Sequence, residues 1–191
     1  CCAKFIDVYG LRSLFPCFMK TPGKKVKRGG FSEQEWVEHV TSIISHLLRN
    51  LSGSQLQRLM NKFVEDDHLK VDRLVELHLF YLYRAKAVNR DIEEEKLQLD
   101  DVDEEKENEF YMKRLDVGLF TLQRLNYIIL SIGTAGISTV LDRVRQLLNL
   151  KGETLEPVRE IMQEYADSLG DDKNKANEEK LNINHMINQL T

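Results

Sequence analysis

Three sets of side chains in this 191-residue chain have types and spacings that could do chemistry. The first is Asp72, Glu76 and Tyr83, with Leu79 and Phe80 among them, on one face of an expected helix. Carboxylates beside aromatic rings suit capture of lysine- or arginine-rich segments, by charge pairing and by stacking of cations on rings. A plainer reading is that Leu79 and Phe80 bury this face while Asp72 and Glu76 pair with Arg73 or other neighbours. The second set is Lys24, Lys25, Lys27 and Arg28, preceded by Lys20, between the turns Pro22-Gly23 and Gly29-Gly30. A compact basic cluster matches the pattern read by nuclear import receptors and can contact phosphates, or it is a solvated loop. The third set is histidine. His39 and His46 can share a helix face, but no carboxylate completes an HExxH arrangement. His78 falls in an apolar stripe and reads as a hydrogen-bonded core residue rather than a ligand.

Catalytic signals are otherwise poor. The sequence has no Gly-rich phosphate loop, no nucleophile elbow and no convincing Ser/His/Asp order. Three cysteines, Cys1, Cys2 and Cys17, lack CxxC or metal-ligand spacing and suit a reducing compartment, cytosol or nucleus. Cys17, beside Phe15 and Phe18, reads as a small buried hydrophobe. The expectation is a chain with no catalytic residue, metal or cofactor. With a net charge of −4, the composition does not favour a wholesale nucleic-acid binder.

The elements that must position these residues are helices. Prolines and glycines fall almost entirely between periodic segments, and the alternating β-branched runs of strands are absent. The segment that organises the rest is Glu109–Gly133, read as one helix apolar almost all round and therefore covered by other helices on several sides. Tyr111, Leu115, Gly118, Leu122, Leu125 and Ile129 line one face of it, and the close approach of another backbone would account for Gly118. Its charges exclude a membrane span, which needs about 20 nearly uninterrupted apolar residues.

Residues 1–19 read as the end of an upstream helical repeat, either two short helical pieces broken at Gly10 and ended by Pro16 or one kinked helix. The first residues, Cys-Cys-Ala without an initiator methionine, suggest a piece of a longer polypeptide. Residues 20–30 form the basic loop. Residues 31–90 hold a repeat with a long third helix: a capping box at Ser32 and Glu35, a second cap at Ser54 and Gln57, and a third helix starting at Asp66 or Asp67. Residues 91–108 crowd ten carboxylates together and read as a mobile acidic segment, a frayed helix end plus a loop that could receive a basic peptide. Residues 109–170 contain the central helix and a following repeat. Residues 171–191 are a polar linker and a capping helix with Leu181, Ile183, Met186, Ile187 and Leu190 inward. Helices joined by such short turns pack as antiparallel neighbours, in an armadillo- or HEAT-type stack or a compact irregular bundle.

Several collinear stretches carry a resemblance. They are Tyr9-Gly-Leu-Arg-Ser-Leu-Phe-Pro16, Phe18-Met-Lys-Thr-Pro22, Leu47-Leu-Arg-Asn-Leu51, Lys70-Val-Asp-Arg-Leu74 with Glu76-Leu-His78, Glu109-Phe-Tyr111, Arg114-Leu-Asp-Val-Gly-Leu-Phe120 and Glu164-Tyr-Ala166. In this order they resemble the C-terminal portion of the beta-catenin-like protein 1 family, armadillo-like proteins associated with the spliceosome. The resemblance implies the C-terminal part of a right-handed armadillo superhelix in the nucleus. It also implies partners with basic, nuclear-localisation-type segments: a Myb-like cell-division-cycle spliceosomal protein, other splicing factors and, in vertebrates, an antibody-diversifying cytidine deaminase. The family's main peptide groove is expected upstream of this chain, so Asp72, Glu76 and Tyr83 rest on their chemistry alone. Two other readings stay open. One is an RNA-contacting module through Lys24–Arg28. The other is a homo-oligomer joined through apolar surface left bare at Phe5–Phe18 or Ile183–Leu190.

Overall fold

The computed structural model describes residues 1–20, 32–99, 101–169 and 174–190. These form ten α-helices and one 3₁₀ turn, with no strand among the described residues. The fold is all-α and armadillo-like. In chain order the helices are α1 (Cys2–Asp7), α2 (Leu11–Met19), α3 (Glu33–Asn50), α4 (Gly53–Val64) and α5 (Leu69–Lys96). They continue as α6 (Glu104–Asp116), α7 (Leu119–Gly133), α8 (Ser138–Asn149), α9 (Glu156–Ser168) and α10 (Asn174–Gln189).

Helix α7 is the axis of the molecule, with Leu122, Leu125, Ile128, Ile129 and Leu130 wholly removed from water. Packed around it are α3, α5, α8, α9 and α10, with α6 joining at its start. Each neighbour contributes one apolar stripe: Val37, Val40, Ile44, Leu47 and Leu48 from α3, and Val71, Leu74, Val75, Leu82 and Ala85 from α5. From the C-terminal side come Val140, Val144 and Leu148, then Val158, Met162 and Ala166, then Ile183, Met186, Ile187 and Leu190. Burying one such side chain contributes roughly 1.5–3 kcal/mol, so this shared core dominates the stability.

Local signals behave as their chemistry requires at several points. Ser32 and Glu35 make a reciprocal capping box at the start of α3, with Ser32 Oγ accepting from the Glu35 amide and Glu35 Oε2 from the Ser32 amide. Trp36 Nε1 donates to the Cys17 carbonyl at 3.0 Å, which ties α3 to α2.

Other local expectations are corrected. Pro16 lies inside α2, not at its end. The N-cap of α4 is Ser52, and the Ser54 hydroxyl reaches only its neighbour Gln55. The start of α5 is delayed to Leu69 because Asp66, Asp67 and His68 all take left-handed backbone, with φ of 56°, 53° and 65°. Asp and His tolerate that region better than most residues. Nearly buried Lys70 pairs with Asp66 there and holds its carboxyl below the usual range.

The acidic segment contains more helix than a frayed end and a loop. Helix α5 runs on to Lys96 and α6 begins at Glu104. The two are stitched by Glu95, which accepts from Lys106 at 3.2 Å and Lys113 at 2.6 Å, while Glu109 holds the same two lysines. The ammonium groups of Lys96, Lys106 and Lys113 all lie 5.2–5.8 Å from the Phe110 ring centre, so aromatic and carboxylate groups share these cations.

The main correction concerns the central segment, which is two helices. Gly118 has φ of 99° and serves as the N-cap of α7, and α6 has ended two residues earlier. A Cβ at Gly118 would sit 2.6 Å from the Tyr81 ring, so a side chain, not a backbone, approaches it. Tyr111, on the near side of the break, is substantially exposed. Gly118→Ala is therefore expected to destabilise the chain by roughly 2–4 kcal/mol, from left-handed backbone strain plus overpacking. Urea denaturation measures this directly, and a loss below about 1 kcal/mol would show that the α6–α7 break is not sterically fixed.

One polar pair is sealed inside the core. His78 on α5 and Asn126 on α7 are both fully buried, with Nδ1 and Oδ1 at 2.7 Å. Burial pushes the His78 pKa down from 6.5 to about 4, although the Asn126 bond and Glu153 pull the other way. The unfolded chain therefore takes up this proton first. The His78 contribution is complete above about pH 6.5 and is lost as pH falls toward 4, by roughly 3 kcal/mol in all. Urea melts should show His78→Gln losing less stability than the parent between pH 7 and pH 4.5. Equal losses would show that His78 does not carry the acid sensitivity.

Candidate protein-interaction face

Asp72, Glu76 and Tyr83 share one face of α5, because positions i, i+4 and i+11 of a helix nearly coincide in direction, and Glu76 and Tyr83 are exposed there. Leu79 is buried beneath them, while Phe80 is 51% exposed and Tyr83 45% exposed. The face thus keeps its two rings in solvent. The Arg84 guanidinium lies 5.4 Å from the Phe80 ring centre, and Phe80 meets Tyr81 edge-on at 5.1 Å. Tyr81 in turn is the ring that fills the space at Gly118. The break between α6 and α7 and the orientation of Phe80 are therefore linked through one side chain.

The two carboxylates have different surroundings. Asp72 is engaged by Arg143 of α8 in a two-pronged ion pair, with Nε to Oδ1 and Nη2 to Oδ2 both 2.7 Å. That carboxylate holds the Arg143 pKa above its ordinary value, chiefly through the hydrogen bonds. Asp72 is thus a clasp between α5 and α8. Glu76 pairs with Arg73 of its own helix, Oε2 to Nη1 at 2.7 Å, and keeps 67% of its side chain exposed. A surface pair of this kind is weak and readily exchanged.

Beside Glu76 runs a cleft of about 360 Å³ between the start of α3 and the middle of α5. Glu33, Gln34 and Val37 line it from α3, and Arg73, Glu76, Leu77, Phe80 and Tyr81 from α5. Two carboxylates and an exposed phenyl ring thus border one concavity. The α3 wall was not foreseen. The cleft arises because α3 and α5 both pack on α7, and Glu33 and Gln34 look like ordinary first-turn helix residues. Tyr83 stands one turn beyond this cleft on α5. Lys24, Lys25, Lys27 and Arg28 lie outside the described residues.

The other candidates for chemistry do not converge. His46 rests beside the Asn50 amide at 3.4 Å on exposed α3, and His78 is in the core. Among the described residues no group of three or more His, Cys, Asp or Glu could hold a metal ion. No described helix is long and apolar enough to cross a membrane. Of the apolar segments considered for self-association, Phe15, Phe18, Ile183, Met186, Ile187 and Leu190 are buried within the chain, while Val8 and Tyr9 are exposed.

Comparison with known proteins places this arrangement. Residues 1–163 match the model of a family described as Catenin-beta-like, Arm-motif containing nuclear. The human protein named Beta-catenin-like protein 1 is 46% identical over 186 residues, covering 94% of this chain and 33% of the relative. The mouse protein of the same name is 47% identical over 174 residues, covering 89% and 31%. The Schizosaccharomyces pombe Beta-catenin-like protein 1 homolog is 24% identical over 170 residues, covering 88% and 28%. The chain spans about a third of the length of the relatives it matches. By the extent of that match, the chain belongs to the Catenin-beta-like, Arm-motif containing nuclear family.

Proposed function

We propose that this chain works as part of a non-enzymatic scaffold in a nuclear pre-mRNA-splicing complex. On this reading it holds basic, nuclear-localisation-type segments of splicing partners, a Myb-like cell-division-cycle protein among them, on the outer face of α5. The observation that carries the reading is the α3–α5 cleft, where Glu33 and Glu76 border the exposed Phe80 ring. Arg84 beside Phe80 illustrates the stacking that a partner's arginine would use. A partner lysine or arginine would exchange with Arg73 for Glu76, at small energetic cost because that pair is exposed. Tyr83 extends the contact along α5. Asp72 supports the face from below by holding α8, with less charge to offer than its sequence position suggests.

Glu76→Lys is expected to weaken binding of a lysine- and arginine-rich peptide roughly five- to tenfold, with little change in melting temperature. Asp72→Lys should lower the melting temperature as well, because it replaces the clasp to Arg143 with repulsion. Calorimetric titration and thermal melts of the same two variants check both outcomes. Peptide affinity unaltered by Glu76→Lys would retire this face as the docking site.

A further inference from the structure

Helix α10 is a poor helix held in place by its groove. Five of the sixteen residues in Asn174–Gln189 are asparagine, among the weaker helix formers, so little of its helicity is intrinsic. Its apolar contribution is confined to Ile183, Met186, Ile187 and Leu190, which lie against α7 and α9, while Leu181 points to solvent. The fit is close but local. Leu190 Cδ1 lies where a Cβ on Gly133 would come within 2.9 Å, and Met186 Sδ is 3.9 Å from Ser131 Oγ. The Asn184 side-chain oxygen Oδ1 is shut away from water with no hydrogen-bond donor among the described residues, which works against docking.

A single carboxylate sets the register. Glu179 Oε1 lies 2.9 Å from Arg49 Nε on α3 and accepts from the Tyr165 hydroxyl of α9 at 3.2 Å. The Arg49 guanidinium is itself stacked 4.1 Å from the Tyr127 ring centre on α7. Arg124 is near enough for the Arg49 charge to act on it. Helices α3, α7 and α9 thus build a positively charged, ring-walled socket one turn from an apolar groove, and α10 inserts one anion into it.

We propose that the groove between α7 and α9 is an exchangeable helix-docking site, with α10 its occupant in cis. The partner it fits is an amphipathic helix of another protein. That helix would carry apolar side chains at the spacing of Ile183, Met186, Ile187 and Leu190, and a carboxylate four residues before the first of them. When such a helix enters, α10 leaves and loses its helicity, because docking is what keeps it folded. The incoming ligand is acidic at its recognition point, opposite in charge to the basic segments assigned to α5, so the two sites take different partners.

Two measurements on the whole chain test this. In native-state hydrogen exchange, the amides from Glu179 to Leu190 should open as one unit, about a hundredfold less protected than Leu122–Ile132 of α7. In anisotropy titrations, a fluorescent synthetic peptide of residues 174–190 should bind the chain carrying Glu179→Arg and Ile183→Asp at least about tenfold tighter than the parent, whose own α10 competes. The same peptide bearing Glu179→Arg should bind that variant at least about tenfold more weakly. Exchange of α10 in step with α7, or fast exchange confined to the last turn, overturns the proposal. So does a double variant that loses protection in α7, which would make α10 integral to the fold. Failure of the peptide to bind a double variant whose α7 stays protected overturns it as well.

Discussion

The structure depends on one condition: α7 has no side that can face water along most of its length. Twelve of its fifteen residues are buried, including Thr121, Gln123, Asn126 and Ser131. A helix of this kind cannot sit at the edge of a bundle. It fixes the minimum number of neighbours, and α3, α5, α8, α9 and α10 are the helices that satisfy it. The polar groups it takes inside need partners. Asn126 finds His78, and the Ser131 hydroxyl bonds back to the Tyr127 carbonyl at 2.8 Å. The neighbours are not equal in consequence. α3 and α5 cover α7 along much of its length and each keeps a polar outer face, whereas α10 adds a short stripe at the C-terminal end.

Much of this was legible in the sequence because apolar periodicity reports which residues must be covered. Val71, Leu74, Val75, His78, Leu82 and Ala85 recur at helical spacing on α5 and are buried. Periodicity does not report backbone handedness, and the misreadings came there. The stripe through Tyr111, Leu115, Gly118 and Leu122 runs on in phase, so Gly118 looked like a small residue within one helix. It is the left-handed residue between two. Asp66, Asp67 and His68 looked like a helix start for the same reason, since short polar residues serve both as caps and as left-handed turns. Ile43 recurs at the spacing of Val40, Ile44 and Leu47 yet faces outward, because the buried stripe is set by where α7 lies and not by α3 alone.

The candidate site was legible to the extent that one helix carries it. Asp72, Glu76 and Tyr83 share a face by helix geometry, and reading α5 as a helix was enough to group them. What the sequence could not disclose were partners from elsewhere in the chain. Arg143 is 71 residues from Asp72 and occupies an unremarkable polar position of α8. Glu33 and Gln34 enter the cleft because α3 and α5 both pack on α7. The family resemblance placed the fold but carried no site to these positions, because the groove it implies lies upstream. The distinction between a bound Asp72 and a more available Glu76 therefore belongs to tertiary structure.

The ion pairs explain why that distinction falls where it does. An apolar core is non-directional and leaves neighbouring helices free to slide, whereas a bonded charge pair fixes one register. Several seams of this fold carry an ion pair. Asp72–Arg143 joins α5 to α8, Glu95 joins α5 to Lys106 and Lys113 of α6, and Arg114–Glu164 joins α6 to α9. Arg49–Glu179 joins α3 to α10, and Lys86 of α5 holds Glu153 beside α9. A carboxylate at a seam is committed to its helix partner, and recruiting it for a ligand would loosen the stack. Glu76 borders a cleft and, among the described residues, pairs with Arg73 of its own helix, so a ligand can draw on its charge without moving a helix partner. Glu179 differs again: its seam holds an asparagine-rich helix whose place depends on docking more than on intrinsic helicity.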